Sequence, residues 1–225
     1  MIALVYTIAP VTAALLGGAF TAYRPPSKRL RSIVQHLAAG LVFSAAAVEI
    51  LPDVIRADAL LATAVGSALG IAAMVSMQVM ERRLEGPIGL SVASGADVFI
   101  DGFVLGLSFL QGAKQGLLLT IALTLELLFL GLSVAATFGR GSKIKTISVT
   151  GAIAIALPIG TAMGLMLGGL PEPVLSGLYA FGLIALLYLV TEELLTEAHE
   201  VEDRPLMPIA FFLGFLSLMY LHELM

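Results

Sequence analysis

Eight apolar runs of roughly 20 residues, parted by short polar breaks, constrain this chain more than any other feature of its sequence. A run of that length spans the hydrocarbon core of a bilayer as a helix, and in lipid every backbone polar group must be paired within its own segment. The runs are Ile2–Tyr23, Ser32–Ile55, Ala59–Met80, Pro87–Leu110, Gln115–Phe138, Thr146–Leu170, Pro173–His199 and Pro205–Met225. Hydrophobic residues make up 59% of the chain and charged residues only 12%, so little polar sequence is left to cover a water-facing surface. The pattern predicts an all-α integral membrane protein with eight transmembrane helices. No break is long enough to part domains, so residues 1–225 read as one transmembrane domain. The first run has no basic leader and no cleavage site, and reads as a membrane helix rather than a removed signal peptide. There is no cysteine, which excludes disulfides and thiolate metal sites.

Basic residues orient the helices. Arg24, Lys28, Arg29, Arg31, Arg82, Arg83, Arg140, Lys143, Lys145 and Arg204 fall in alternate breaks, on one side of the membrane; only Arg56 and Lys114 fall on the other. The positive-inside rule puts the basic face in the cytoplasm and both termini outside it. The expected location is the cell (inner) membrane, as a multi-pass protein. The bilayer is an expected partner, and no nucleic acid is.

A weak internal echo runs along the chain. "IAPVTAALLGG" from Ile8 resembles "ALPIGTAMGLMLGG" from Ala156, and "VEILPD" from Val48 resembles "EELLTE" from Glu192. Helices 1–2 would then recur as helices 6–7, and by extension 1–3 as 6–8, in opposite orientation. Inverted repeats of this kind belong to transporters, although glycine-rich apolar helices also resemble one another by composition alone.

The acids are placed unusually for lipid. Asp97 and Asp101 lie four residues apart on the fourth run, hence on one helix face, and Glu126 lies at a similar depth on the fifth. Three unpaired carboxylates there cannot stay ionised together, so protons or a cation must neutralise them. The bland alternative is protonated carboxyl groups hydrogen-bonding between helices. Glu49 and Asp53 lie near the outer end of helix 2, and Glu192, Glu193, Glu197, His199 and Glu200 near the inner end of helix 7. Together they outline a candidate acidic pathway of Glu49, Asp53, Glu192, Glu193 and His199, with plain solvation at helix ends as the alternative for Asp53, Glu197, His199 and Glu200. His36 and His222 lie near helix ends and are not read as ligands.

At this point the chain resembles the ZIP (Zrt/Irt-like) family of metal transporters. The likeness rests on eight helices, both termini outside, and the punctuation of helices 2, 4, 5, 6 and 7. Where bacterial members carry a pattern like HNxPEG, helix 4 reads "DVFIDG" and helix 5 "ELLFLG", with Gly102 and Gly131 aligned. "YLVTEELLTEAHE" in helix 7 is similar to the family's "YVVVEELIPEAH". The resemblance implies that Asp97, Asp101 and Glu126 replace the usual His and Glu ligands of one metal site. It also implies that a second site is lost, because its positions hold Val98, Leu127, Leu130 and Leu157.

The implied function is transport of a divalent cation as substrate, by alternating access and in the direction of uptake into the cytoplasm. Zinc comes first, with Mn²⁺ and Fe²⁺ close behind because oxygen-only ligation suits harder ions. Water, carbonyls opened by the motif glycines, or Ser94 would complete the shell. A homodimer is implied too. No catalytic cofactor and no enzyme activity are expected: HExxH is absent, and the two Asp share one helix rather than facing each other from two. The alternative is a non-transporting ZIP-like metal sensor or membrane scaffold.

Overall fold

The computed structural model describes residues 2–83, 86–137, 143–199 and 207–225. Parts of three basic breaks, with Arg140, Glu200 and Arg204, lie outside the described residues. Among the described residues, eight helices are long and apolar enough to cross a membrane: α1 (Ile2–Tyr23), α2 (Lys28–Arg56), α3 (Leu60–Arg83), α4 (Gly86–Gln111), α5 (Ala113–Thr137), α6 (Lys143–Gly169), α7 (Glu172–Ala198) and α8 (Met207–Leu224). The described residues contain no strand.

The largest departure from the expected boundaries is the start of α2, at Lys28 rather than Ser32. Ser27 is extended after Pro25 and Pro26, and its hydroxyl accepts the Leu30 amide at 3.2 Å, which caps the helix ahead of the basic residues. Arg31 is therefore a helical residue, not a loop one.

Four helices are locally irregular, each for a traceable reason. The regular part of α1 stops at Tyr6 and resumes at Ile8, and that of α6 stops at Ala154 and resumes at Ala156. Pro10 and Pro158 follow four residues after each stop. A proline has no amide to give the carbonyl four residues back, and its ring crowds that carbonyl. In α2, residues Ala46–Ile50 form a π-turn, closed by the Leu51 amide on the Ala46 carbonyl, just before Pro52. In α7, Leu189–Leu194 form a second π-turn. There the Thr191 hydroxyl donates to the Leu187 carbonyl at 3.0 Å and so intrudes on the backbone ladder.

The closest helix packing forms four pairs: α1 with α5, α4 with α6, α2 with α8, and α3 with α7. Lipid supplies no hydrophobic drive for this association, so close backbone approach must supply it, and small residues allow it. A Cβ on Gly102 would lie 2.1 Å from the Leu157 carbonyl oxygen, and one on Gly131 would lie 2.2 Å from that of Ala14. The motif glycines therefore serve helix contact; α4 and α5 run unbroken through them, so they do not open carbonyls for a ligand. Helices α2, α4 and α5 are the most buried spans at 61%, against 17% for α3, which turns Leu60, Leu61 and Leu69 outward. The centre of the bundle thus falls on α2, α4 and α5.

Replacing Gly102 by Ala should lower stability by about 1–3 kcal/mol, because backbone cannot move aside for the methyl group. Gly95, one turn and more away on the same helix, has no such neighbour within 4 Å. Gly95→Ala should leave stability unchanged or raise it by up to about 1 kcal/mol. Thermal melts of the two variants in detergent check the contrast.

Candidate metal centre

Asp97 and Asp101 stand one turn apart on α4, and Glu126 faces them from α5. Asp97 lies 11 residues in from Gly86, and Glu126 lies 11 residues in from Thr137. At 1.5 Å per residue both sit roughly 16 Å from the basic end, near mid-membrane. The two helices run antiparallel side by side, so equal insets bring the side chains level. One carboxylate oxygen from each residue lies within 4.8 Å of the other two. Asp97, Asp101 and Glu126 are only 6%, 2% and 4% exposed.

The donor set fits a divalent cation. An ion sits about 2.0–2.6 Å from carboxylate oxygens, so ligand oxygens on opposite sides of it lie roughly 4–5 Å apart. Asp101 and Glu126 are both buried and close to each other, so a proton or a cation must offset their charge. Oδ2 of Asp101 and Oε2 of Glu126 are buried with no hydrogen-bond partner among the described residues. Orphaned buried oxygens of this kind are what a cation would satisfy. Ser94, on the same face of α4, is close enough to line the adjoining cavity.

That cavity, of about 250 Å³, has Asp97 and Glu126 in its wall. It is bordered by Met77 and Gln78 of α3, Ser133 of α5, Arg31 of α2, and Glu192, Glu193 and Glu197 of α7. These come from the basic ends of their helices, so the cavity leads from the cluster toward the basic face. Toward the opposite face, Leu105 and Leu107 of α4 and Leu118, Leu119 and Leu123 of α5 are fully buried and close the way with hydrocarbon.

The expected pathway residues separate into three groups. Glu192 and Glu193 reach the cavity that holds Asp97 and Glu126. Glu49 lies in the α2 π-turn, 3% exposed, with Oε1 at 2.5 Å from Nδ1 of His222 and Oε2 without a partner among the described residues. Asp53 pairs with Arg56 at 3.7 Å, and His199 sets its ring 5.2 Å from that of His36; neither is part of the cavity wall. His36 itself is not at a helix end but buried, 1% exposed, its Nδ1 2.8 Å from the Ser32 carbonyl oxygen. Glu200 lies outside the described residues.

Sequence reading missed two contributors. Arg31 counted only as a loop cation, yet it borders the acidic cavity and its Nη2 donates to Ser133 Oγ at 3.3 Å. Gln35, one turn further along α2, donates from Nε2 to Glu197 Oε2 at 2.7 Å. The signal for both was the serine cap, which pulls the basic stretch into the helix. Positions Val98, Leu127 and Leu157 are buried among apolar side chains, and Leu130 borders the cavity without a ligand atom.

Removing one buried charge should relieve the repulsion within the cluster. Asp101→Asn, which keeps the shape and removes one charge, should stabilise the chelator-treated protein by on the order of 1–2 kcal/mol. Denaturation in detergent with a chelator present measures it, and a loss of stability would show the carboxyl group to be fully compensated already.

No protein-family model matches the chain, and no curated protein matches it.

Proposed function

We propose that this protein carries a divalent metal cation across the membrane, seated on Asp97, Asp101 and Glu126. The observation that carries the reading is the buried three-carboxylate cluster beside a cavity that leads to one face only. A seat open to one side and closed by hydrocarbon on the other is what one state of an alternating-access carrier needs. Zinc is the first candidate cargo, with Mn²⁺ and Fe²⁺ close behind. On this reading the protein resides in the cell membrane with its basic face in the cytoplasm, and the cavity is the inward one. Glu192, Glu193 and Glu197 then form an acidic vestibule on the inward side.

The packing supports the inverted repeat. Exchanging α1 for α6, α2 for α7, α3 for α8 and α4 for α5 converts the four close pairs into one another. The same exchange swaps the two proline breaks and the two π-turns. An architecture with this property can offer its seat to the other face by the mirror arrangement of the same contacts. The ZIP-like reading adds that one helix group slides against the other. The close pairs suggest the groups: α1, α4, α5 and α6 around the seat, and α2, α3, α7 and α8 beside it.

Asp97→Ala and Glu126→Ala should each remove most metal binding and most uptake in reconstituted vesicles, while both chains still fold. The parent should bind one ion per chain, because Val98, Leu127, Leu130 and Leu157 offer nothing to a second. Two adjacent metal peaks in a crystal soaked with metal would contradict this. Metal bound without uptake would favour the sensor instead.

Asp97→His combined with Glu126→His should raise the preference for Zn²⁺ over Mn²⁺, since imidazole suits zinc better. Competition binding reads the ratio. Three carboxyl groups buried this close together cannot all stay ionised without an ion, so binding should release protons and weaken in acid. Calorimetry in two buffers of different ionisation enthalpy detects that release.

A further inference from the structure

A second hollow lies far from the metal cluster in character. It is an apolar groove of about 580 Å³ on the outer surface of the bundle, walled by Leu16, Phe20 and Tyr23 of α1, Leu30 and Val34 of α2, and Leu132 of α5. Its volume falls within the roughly 300–1,000 Å³ of sites that hold a small ligand. Phe20, Tyr23 and Leu30 are exposed, so the groove faces lipid rather than the core.

One end of this groove is strongly basic. Tyr23 ends α1, and Lys143, the first residue of α6, sets its Nζ 4.1 Å from the centre of the Tyr23 ring. Arg24, Lys28 and Arg29 follow Tyr23 in the chain, and Lys145 follows Lys143; all five cations are exposed. Among the described residues, none of the five forms an ion pair with a carboxylate. Residues 1–48 and 127–171, which supply every wall of the groove and all five cations, contain no Asp or Glu. The same mouth receives the amino-terminal end of α2, capped by Ser27, whose helix dipole also favours an anion.

We propose that this groove seats an acyl chain of one anionic phospholipid, with its phosphate held at the mouth by Arg24, Lys143 and their basic neighbours. Hydrocarbon wall and cationic rim meet at Tyr23, the depth at which an aromatic ring normally marks the headgroup boundary. The positive-inside bias puts the mouth on the leaflet that carries anionic lipid, and each cation near that surface strengthens the attraction. An uncharged lipid could fill the groove but would leave the rim unmatched. The groove also spans the seam between α1–α5 and α2. On the transport reading proposed above, a lipid held there would lie between the helix group that carries the seat and its neighbour.

The test reads lipid retention, not uptake, so its failure is separate from any failure of the transport reading. The detergent-purified, delipidated full chain is titrated with palmitoyl-oleoyl phosphatidylglycerol or with the phosphatidylcholine of the same chains, and bound lipid is counted by native mass spectrometry. The parent should retain one phosphatidylglycerol at concentrations where phosphatidylcholine is not retained. Arg24→Gln and Lys143→Gln should each reduce that preference roughly fivefold. Ala19→Phe, which fills the groove, should abolish retention of both lipids; if that chain fails to fold, the two charge variants decide. Equal retention of both lipids by the parent, or an unchanged preference in the charge variants, overturns the proposal. Displacement by inorganic phosphate as effective as by lipid would also overturn it, by leaving the chain unseated. So would a shift from dimer to monomer in Ala19→Phe with lipid retention intact, which would assign the groove to a second copy of the chain.

Discussion

Three carboxyl groups whose oxygens lie within 4.8 Å of one another, deep among membrane helices, set the terms for the rest of this molecule. They are almost wholly buried, and no arginine or lysine side chain on α4 or α5 comes level with them. Charge neutrality must come from something mobile, either a proton or a metal ion. Everything nearby is arranged around that requirement. Antiparallel α4 and α5 bring the acids level, the cavity leads from them toward the basic face, and the leucines beyond close the other side. Helix pairing fixes the geometry: α4 leans on α6 through Gly102, and α5 leans on α1 through Gly131. The seat is therefore held by backbone-to-backbone contacts rather than by flexible side chains.

The acidic cavity is asymmetric in a useful way. Glu192, Glu193 and Glu197 come from α7, while Arg31 and Gln35 approach from α2. On the proposed transport reading, the glutamates would draw a cation along the cavity, and the arginine would keep the sum of charge from becoming a trap. An ion that binds too well at the exit does not leave, and conduction of any kind needs sites that release. Glu49 lies in the π-turn of α2, but it is buried and engaged by His222. The acids of the two π-turns thus sit in opposite circumstances, Glu192 and Glu193 at the cavity and Glu49 shut in.

Much of this was legible in the sequence because lipid simplifies the reading. Apolar length alone located all eight spans, and spacing placed Asp97, Asp101 and Glu126 together before any coordinates. Depth counting worked because α4 and α5 are regular helices with a fixed rise per residue. The same counting failed where helices are irregular or begin unexpectedly. Arg31 read as a loop cation because a run of charges masks a helix start, and only the Ser27 cap after two prolines signalled otherwise. Asp53 and Glu49 looked alike in "VEILPD", yet one pairs with Arg56 at the helix end and the other is buried against His222. Four residues separate them, and a π-turn with Pro52 lies between, so helix periodicity no longer tells which face each takes. The glycines of helices 4 and 5 were visible as punctuation, but their part in helix contact depends on which helix lies opposite, and no local pattern encodes that.

The π-turns have a consequence of their own. A π-turn accommodates one residue more than the α-helix around it, and an extra residue rotates everything downstream by about 100°. In α7, the stretch after Leu194 presents Glu197 to Gln35 by virtue of that rotation. A single-residue deletion there would heal the helix, keep its hydropathy and keep its span, and yet aim a different side of its inner end at the cavity. Descendants of such an event would look unchanged to any measure of composition while having lost the face on which their chemistry depends. Counting residues between the acids and the membrane edge, rather than comparing their identities, is then the way to tell such lineages apart.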